Sequence, residues 1–430
     1  MENIFSRIIH NFYRLAFKEE PSQNIKIFIQ NLRYVTIGFG FYAIFAFFSQ
    51  IIAGRVLGPA EYGKYILVQS VAAFLFIPMS LSISTAMVKY NAEKEDITRQ
   101  RKIISTAFIM VFIFSVISAI FFFFLSEIFS KIFGVSLDIF NLSIIYALFY
   151  GLYYLSVDTL RSLHKMKQFA IFRAFYGLLF LVLILSFVFA HQFSFHTVVF
   201  IEYVAFFFIF FAVVFSIRKY FLLDFDEFWG AKLLRYGSYA VITTAASAFY
   251  SNFNQIIVNK YLTLTDVGIF GAYFICFVTL PAYLSFVFNA VFFPAVSRSQ
   301  NKKIVLSKMN KIVFFYAILS FPCLAFAGFL LLKLYGAKYN FNFELGLMLA
   351  ISSLLVFINN TYSCLMNSTG ERGAKITSLS AIIFALLNVI LSILLIPRIG
   401  LNGVAISLIV SYIFSIFIIL FNIKVVESAK

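Results

Sequence analysis

Long apolar runs recur along almost the whole chain, and they restrict its possible folds more than any other feature. Twelve runs approach the length of about 20 mostly apolar residues that a helix needs to cross a bilayer, and short polar stretches separate them. Of the 430 residues, 62% are apolar and 12% are charged, whereas a soluble protein has about a quarter charged residues. So few charges exclude soluble domains, a disordered chain and a disulfide scaffold. The sequence therefore predicts an all-α integral membrane protein.

The apolar runs predict twelve transmembrane helices in two groups of six. The predicted spans are residues 34–53, 65–88, 103–125, 139–160, 169–190, 197–217, 237–259, 269–291, 312–334, 345–367, 376–396 and 401–423. The predicted organisation is a cytoplasmic N-terminal arm (1–33), a six-helix bundle (34–217), a cytoplasmic linker (218–236), a second six-helix bundle (237–423) and a cytoplasmic tail (424–430). The arm has the apolar face of an amphipathic helix lying on the membrane; a frayed tail is the alternative.

The basic residues predict the orientation of the spans. The chain has 34 Lys and Arg against 18 Asp and Glu, a net charge of +16, and 27 of the 34 fall in the termini and in one set of loops. Because cytoplasmic loops carry the excess of Lys and Arg, both termini are predicted in the cytoplasm. These charges lie between apolar runs rather than on a folded polar surface, which argues against a nucleic-acid partner.

The sequence contains no motif for catalysis, metal binding or cofactor binding. Cys276, Cys323 and Cys364 lie far apart in apolar segments, where small buried hydrophobic residues are expected. A P-loop, a zinc motif and a nucleophile with a neighbouring base are all missing. We therefore predict a protein that is not an enzyme, with no catalytic residue, no metal and no cofactor.

An internal repeat relates the two predicted bundles. Residues 51–65 align without a gap to residues 256–270, and the aligned pairs include Gly63 with Gly268. Each copy ends an outward span and begins an inward one, so the two bundles are predicted to be related by a pseudo-twofold axis along the membrane normal. The span after each copy contains a proline, Pro78 and Pro281. Prolines free backbone carbonyls and bend helices, which predicts a gating role; ordinary use of proline in membrane helices is the alternative.

These segments resemble the oligosaccharide flippases, the Wzx-like polysaccharide biosynthesis proteins of the multidrug/oligosaccharidyl-lipid/polysaccharide exporter superfamily. The resemblance lies in RVLGPAEYG (55–63), DVGIF (266–270), FPAVSR (293–298), GER (370–372) and PRIGLNGVA (397–405). It implies a V-shaped transporter whose first, second, seventh and eighth spans line a cleft. It also implies movement of a polyprenyl-pyrophosphate-linked oligosaccharide, such as an O-antigen (lipopolysaccharide) repeat unit, from the inner to the outer leaflet of a bacterial or archaeal plasma membrane. Polysaccharide polymerases and glycosyltransferases are its candidate partners, beside membrane lipids.

A pyrophosphate with attached sugars needs polar side chains to replace its hydration inside a membrane. The expected lining spans supply candidate cleft residues: Gln50, Arg55, Lys64, Gln69, Asn252, Asn254, Gln255, Asn259 and Lys260. Packing between helices is the alternative role for the amides. For the three cations, which are predicted at the outer ends of spans, the alternative is snorkelling to lipid headgroups.

Glu202 is the candidate ion-coupling residue. It lies about five residues into the predicted sixth span, and an ionisable group within a span is a functional candidate. His191, His196 and Lys260 are its candidate partners, and a position at the membrane interface is the alternative.

Two further functions stay open at this stage. A small-molecule antiporter of the same superfamily would be favoured by a deep acidic pair in the first span, which the sequence lacks. A membrane glycan polymerase or glycosyltransferase normally needs a large outer loop or paired carboxylates, whereas here the outer loops are short and their acidic residues occur singly.

Overall fold

The computed structural model describes residues 23–93, 96–222, 224–283 and 302–423. Most of the predicted arm, the FPAVSR segment and the predicted tail lie outside these residues. Throughout the described residues the chain is helical, without a strand. The helices are α1 (Gln23–Leu57), α2 (Pro59–Ser80), α3 (Ile83–Ala92), α4 (Ile97–Phe124), α5 (Ser126–Phe133), α6 (Leu137–Ser162), α7 (Met166–Phe189), α8 (Phe195–Ser216), α9 (Glu227–Tyr261), α10 (Leu264–Phe274), α11 (Lys302–Lys333), α12 (Phe343–Asn367), α13 (Glu371–Ile399) and α14 (Leu401–Phe421).

Ten helical segments of the described chain are long and apolar enough to cross a membrane. They coincide with the predicted spans one to six, eight, and ten to twelve, and so confirm a multi-pass membrane protein. The predicted seventh span lies within α9, whose amides lower its hydropathy, and the predicted ninth lies within α11, whose apolar part is Ser320–Lys333. Twelve spans and the twofold relation of the halves stay predictions.

Two compact units are present, one of Gly38–Gly271 and one that combines Met1–Ile37 with Ala272–Lys430. We call the first the N-terminal unit and the second the C-terminal unit. Within the N-terminal unit, α2 packs against α4, α6 and α9, and α8 packs against α6 and α7. Within the C-terminal unit, α14 packs against α12 and α13. The predicted bundle boundary at the linker stays a prediction.

Both prolines that were predicted to bend helices lie beside helix irregularities. Pro78 lies in the last turn of α2, which ends at Ser80 because the following Leu81 and Ser82 adopt left-handed backbone angles, with φ of 41° and 52°. In the C-terminal unit, a π-helical segment (Ile275–Thr279) precedes Pro281. Proline cannot donate a backbone hydrogen bond, so the helical ladder is interrupted at both places.

The predicted linker is partly helical, and α9 begins inside it. Asp226 caps the first turn of α9 by accepting a hydrogen bond from the Trp229 backbone N–H at 3.1 Å, and Lys102 donates to the same carboxylate at 3.0 Å. These contacts, the backbone bond first, lower the pKa of Asp226. Trp229 and Leu233 are buried against α3 and α4, so apolar packing fixes the start of α9 to the N-terminal unit.

The cysteines follow the prediction in two of three positions. Cys276 and Cys364 are buried in the C-terminal unit, whereas Cys323 is exposed on α11. The prediction of a buried Cys323 is therefore wrong. An apolar residue on a membrane helix can face lipid as readily as protein, and hydropathy does not distinguish the two environments.

Candidate functional site

Glu202 lies at the centre of a buried hydrogen-bond network in the N-terminal unit. It is the eighth residue of α8, about 10 Å along the helix from its start, and 4% of its surface is exposed. The hydroxyls of three tyrosines donate to its carboxylate: Tyr65 at 2.7 Å, Tyr146 at 2.8 Å and Tyr176 at 2.9 Å. The Nε2 of Gln69 donates to the same carboxylate at 3.2 Å.

Four helices bring these groups together. Tyr65 and Gln69 are four residues apart on α2, so they share one face of that helix, and Gln69 also donates to the Tyr65 hydroxyl at 2.8 Å. Tyr146 comes from α6 and Tyr176 from α7. The ring of Tyr176 stacks on Phe206 of α8, one turn after Glu202, with ring centroids 5.3 Å apart. Aromatic packing thus fixes the distance between α7 and the carboxylate.

The network solvates the carboxylate with neutral donors. An ionised carboxylate has about four acceptor positions, and three phenols with one amide match that number. Among the described residues, Glu202 makes no ion pair with Lys, Arg or His. A buried charge without a counter-charge is costly even when it is hydrogen-bonded. The site can therefore exchange a proton or a small cation, because either would neutralise the remaining charge.

Two predicted cleft residues belong to this network. Gln69 contacts Glu202 directly, and Gln50 on α1 forms an outer layer. The hydroxyl of Tyr62 donates to Gln50 Oε1 at 2.9 Å, and Gln50 Nε2 donates to the Tyr65 hydroxyl at 3.3 Å. The network thus extends from α8 through α2 to the first span.

The partners predicted for Glu202 are wrong. His191 is exposed after α7, His196 instead lies with Nε2 3.0 Å from Asp138 Oδ2, and Lys260 is exposed at the end of α9. Charge complementarity predicted those partners, but neutral tyrosine hydroxyls donate hydrogen bonds to the carboxylate instead. Tyrosine in an apolar helix usually indicates core packing, which is why sequence reasoning missed the three donors. A usable signal was the series of tyrosines at 146, 150, 153 and 154, which follows one face of α6.

The predicted amide group lies on α9, which packs against α2. Asn254 and Gln255 are buried there, with 2% and 6% exposure, and Asn252 is partly buried. The buried Oε1 of Gln255 lacks a hydrogen-bond partner within the described part of the chain. Asn259 Nδ2 donates to the carbonyl oxygen of Gly134 at 2.6 Å, which ties the end of α9 to the turn after α5.

The predicted cationic residues lie at helix ends. Arg55 is exposed in the last turn of α1, and Lys260 is exposed in the last turn of α9. Lys64, near the start of α2, lies with Nζ 2.6 Å from Glu61 Oε1 and 5.1 Å from the centre of the Phe195 ring. Such positions suit snorkelling as well as ligand binding, so their role in a cleft stays a prediction.

The two aligned glycines of the repeat lie against each other. A Cβ atom on Gly63 would overlap the carbonyl oxygen of Leu264 and lie 3.0 Å from the backbone nitrogen of Gly268. A Cβ atom on Gly268 would overlap the carbonyl oxygen of Pro59 and lie 3.1 Å from the nitrogen of Gly63. Pro59 and Leu264 are themselves an aligned pair, so the contact is reciprocal. Only glycine permits this backbone approach.

Arg173 is a half-buried cation within the predicted fifth span. It is the eighth residue of α7. Its guanidinium lies 4.7 Å from the centre of the Phe39 ring and 5.4 Å from that of Phe169. Its Nε is buried without a hydrogen-bond partner in the described structure. Aromatic faces thus stabilise this charge through cation–π contacts, which tie α7 to α1.

The arrangement of helices defines a class of protein, the multi-pass α-helical membrane proteins. The structure is similar to that of the lipid II flippase MurJ in an inward closed conformation, with a TM-score of 0.64, 17% identity, and coverage of 91% of this chain and 87% of that chain. It is also similar to the inward-facing conformation of a multidrug resistance MATE family transporter of the MOP superfamily. There the TM-score is 0.63 at 12% identity, with 90% of this chain and 96% of that chain covered. At such low sequence identity, the structural similarity shows a shared fold and nothing about the substrate.

The sequence supplies the more particular assignment. The model of the family described as "Polysaccharide biosynthesis protein" matches residues 28–300. The chain belongs to this family, and the resemblance predicted from its sequence motifs is confirmed. Among curated protein sequences, none matches the chain.

Proposed function

We propose that the protein is a flippase that moves a polyprenyl-pyrophosphate-linked oligosaccharide, the repeat unit of an O-antigen or another surface polysaccharide, from the inner to the outer leaflet of the plasma membrane. Membership of the polysaccharide biosynthesis family in a chain with a transporter fold carries this proposal. A polysaccharide assembled from lipid-linked units requires a step in which the polar saccharide crosses the hydrocarbon, and burying such a group without partners is very costly.

Alternating access is the proposed mechanism. In this proposal twelve spans form two six-helix bundles related by a twofold axis along the membrane normal, with both termini in the cytoplasm. The reciprocal contact of Gly63 with Gly268 supports closure of the outer end, because the contact joins α2 and α10, the helices that begin within the two repeat copies. Pro78 and Pro281 lie beside helix breaks that would let these helices bend when the closure opens.

Glu202 is the proposed ion-coupling residue. Its carboxylate is buried, accepts hydrogen bonds only from neutral donors and makes no ion pair with a described residue. Taking up a proton or a sodium ion would remove an uncompensated charge, so the free energy of the site depends on the ion gradient. Gln50 and Gln69 then belong to the hydrogen-bond network around the carboxylate. The α9 amides, the exposed Arg55 and Lys260 and the half-buried Lys64 are the proposed glycan and pyrophosphate contacts.

Reconstitution tests the function directly. Purified protein in liposomes is expected to move a fluorescent polyprenyl-pyrophosphate saccharide across the bilayer, and deletion of the gene is expected to trap the lipid-linked glycan in the cytoplasmic leaflet. Charge reversal at Arg55 or Lys260 should lower the flux at unchanged membrane abundance, with reversal of the exposed Lys167 on α7 as control. Formation of a glycosidic bond without transbilayer movement would support a polymerase or glycosyltransferase instead.

A small-molecule antiporter is the second candidate, because the fold is shared with a multidrug transporter. The same liposomes distinguish the two functions. Export of cationic dyes driven by an ion gradient, with no movement of the lipid-linked saccharide, would favour the antiporter.

A further inference from the structure

A groove lined by aromatic side chains opens on the N-terminal unit between α4, α6 and α8. Its volume is about 420 Å³, and its walls include Phe112, Phe149, Phe207 and Phe211. Phe112 and Phe211 are 57% and 51% exposed. In a membrane such surfaces contact lipid acyl chains. An acyl chain inside a groove touches protein on several sides, so it makes more van der Waals contacts than a chain against a flat helix face.

One end of the groove is closed by the segment after α8. The ring of Phe221 meets Phe108 of α4 edge to face at a centroid distance of 4.7 Å, and the backbone N–H of Leu222 donates to Ser105 Oγ at 2.8 Å. From Ser105 to Phe112 the groove runs about 10 Å along α4, roughly a third of the hydrocarbon thickness. Because the closed end adjoins the basic segment Arg218–Tyr220 after α8, we infer that it lies towards the membrane surface and that the rest of the groove runs towards the bilayer centre.

Two lysines lie beside Tyr220, the residue next to this closed end, although neither lysine lines the groove itself. The ring of Tyr220, which directly precedes Phe221, has Lys165 Nζ at 5.0 Å and Lys219 Nζ at 5.1 Å from its centre. Arg101 Nε donates to the carbonyl oxygen of Lys219 at 2.7 Å and thereby fixes the segment. Burial first, and then the neighbouring charge of Lys219, lower the pKa of Lys165.

The two lysines lack a described counter-charge. Neither makes an ion pair with a carboxylate of the described residues, whereas the nearby Lys102 is neutralised by Asp226 at 3.0 Å. Like charges held close together repel unless an anion lies between them. An apolar groove that ends at paired cations at the membrane surface has the chemistry of a site for a lipid with a negative headgroup.

We propose that this groove binds an anionic phospholipid of the leaflet that it faces, with the phosphate between Lys165 and Lys219 and one acyl chain against the aromatic side chains. The phosphate supplies the counter-charge that the lysines lack, and the chain covers the exposed phenylalanines. The groove does not contain Glu202, although Phe206, which lines it, stacks on Tyr176 of the Glu202 network. The proposed lipid site does not depend on the substrate of the transporter.

Native mass spectrometry of the purified full-length protein tests the headgroup contact. With phosphatidylglycerol and phosphatidylcholine of identical chains at equal concentration, phosphatidylglycerol is expected to remain bound preferentially. The double variant K165A/K219A is expected to lower its affinity by about tenfold, because each basic side chain near an anionic lipid contributes appreciably to binding. The control K167A/K232A removes the same net charge from exposed lysines nearby and should leave the affinity unchanged.

A second pair of variants tests the groove. Ile109 lines it, so Ile109→Trp should fill it and lower phosphatidylglycerol retention, whereas Ile113→Trp, one turn further on α4 at an exposed position outside the lining, should not. Equal retention of the two phospholipids, or equal losses in variants and controls, would overturn the proposal. Displacement of phosphatidylglycerol by an equimolar polyprenyl phosphate would also overturn it and identify the carrier lipid as the occupant.

Discussion

At the residue scale, the balance between desolvation and hydrogen bonding defines Glu202. The three phenols and one amide replace much of the water that a carboxylate loses on burial, but they bring no positive charge. Hydrogen bonds to a charged group contribute roughly 1.5–3 kcal/mol each. The folded protein can therefore accommodate this buried carboxylate, and its uncompensated charge is the feature on which the proposed coupling role depends.

Glu202→Gln is expected to uncouple transport from the ion gradient. The amide keeps an acceptor for the phenols but removes the charge, so the protein should fold while flux in liposomes no longer responds to an imposed pH or sodium gradient. Asp138→Asn, which neutralises an exposed carboxylate of the same unit, is the control and should retain the response. A full gradient response in Glu202→Gln would exclude Glu202 as the coupling residue.

The hydrogen-bond network around Glu202 can be tested by comparing the loss of one tyrosine hydroxyl inside it with the loss of one outside it. Tyr65→Phe deletes a donor to Glu202 and is expected to shift the pH at which transport is half-maximal upwards, because a carboxylate with fewer donors keeps its proton to higher pH. Tyr203→Phe deletes a hydroxyl that donates to the Leu142 carbonyl oxygen at 2.6 Å instead. It should cost about 1 kcal/mol of stability without a shift in the pH profile. The same pH profile of transport in both variants would contradict the proposal that Glu202 titrates during transport.

At the element scale, short irregular stretches control where helices can approach or bend. The α2 helix ends after Pro78, where two residues have left-handed backbone angles. Gly237 of α9 packs against this helix end, and a Cβ atom on it would lie 2.5 Å from the Leu81 carbonyl oxygen. At its other end α2 meets α10 through Gly63 and Gly268. Both ends of one helix are thus positioned by backbone contacts that a side chain would prevent.

Gly63→Ala combined with Gly268→Ala is expected to prevent this backbone contact. Each new methyl group would overlap a carbonyl oxygen, so the helices must separate, and transport should fall severely. Spin labels at residues 55 and 260, on an otherwise cysteine-free background, should report a longer distance by double electron–electron resonance. Gly40→Ala is the control, because a Cβ atom there meets no atom within 4 Å. An unchanged distance with full transport would show that the contact is not a gate.

At the scale of the whole molecule, short connections join most of the described helices. Most exposed large side chains are Phe, Ile and Leu, which in water would drive aggregation but suit contact with lipid. The charge asymmetry of the loops then sets the direction in which the helices insert. Composition and loop charge are therefore the basis of the predicted topology.

Topology mapping tests the predicted even number of spans. Epitope tags at both termini and in the turn at His164 should resist protease in intact cells, whereas a tag in the turn at His191 should be cleaved. Permeabilised cells, in which every tag is accessible, provide the control. Cleavage of only one terminal tag in intact cells would contradict twelve spans with both ends in the cytoplasm.

The sequence by itself determined the membrane class, ten of the helical spans and the family, because hydropathy, length and motif are properties of contiguous residues. It also singled out Glu202, Gln50 and Gln69 as polar residues in apolar helices. It could not supply Tyr65, Tyr146 and Tyr176 as partners, nor the lysine pair at Tyr220, because these groups are distant in sequence. Only the tertiary structure decided those contacts, since the approach of α2, α6, α7 and α8 depends on side-chain packing around the whole unit.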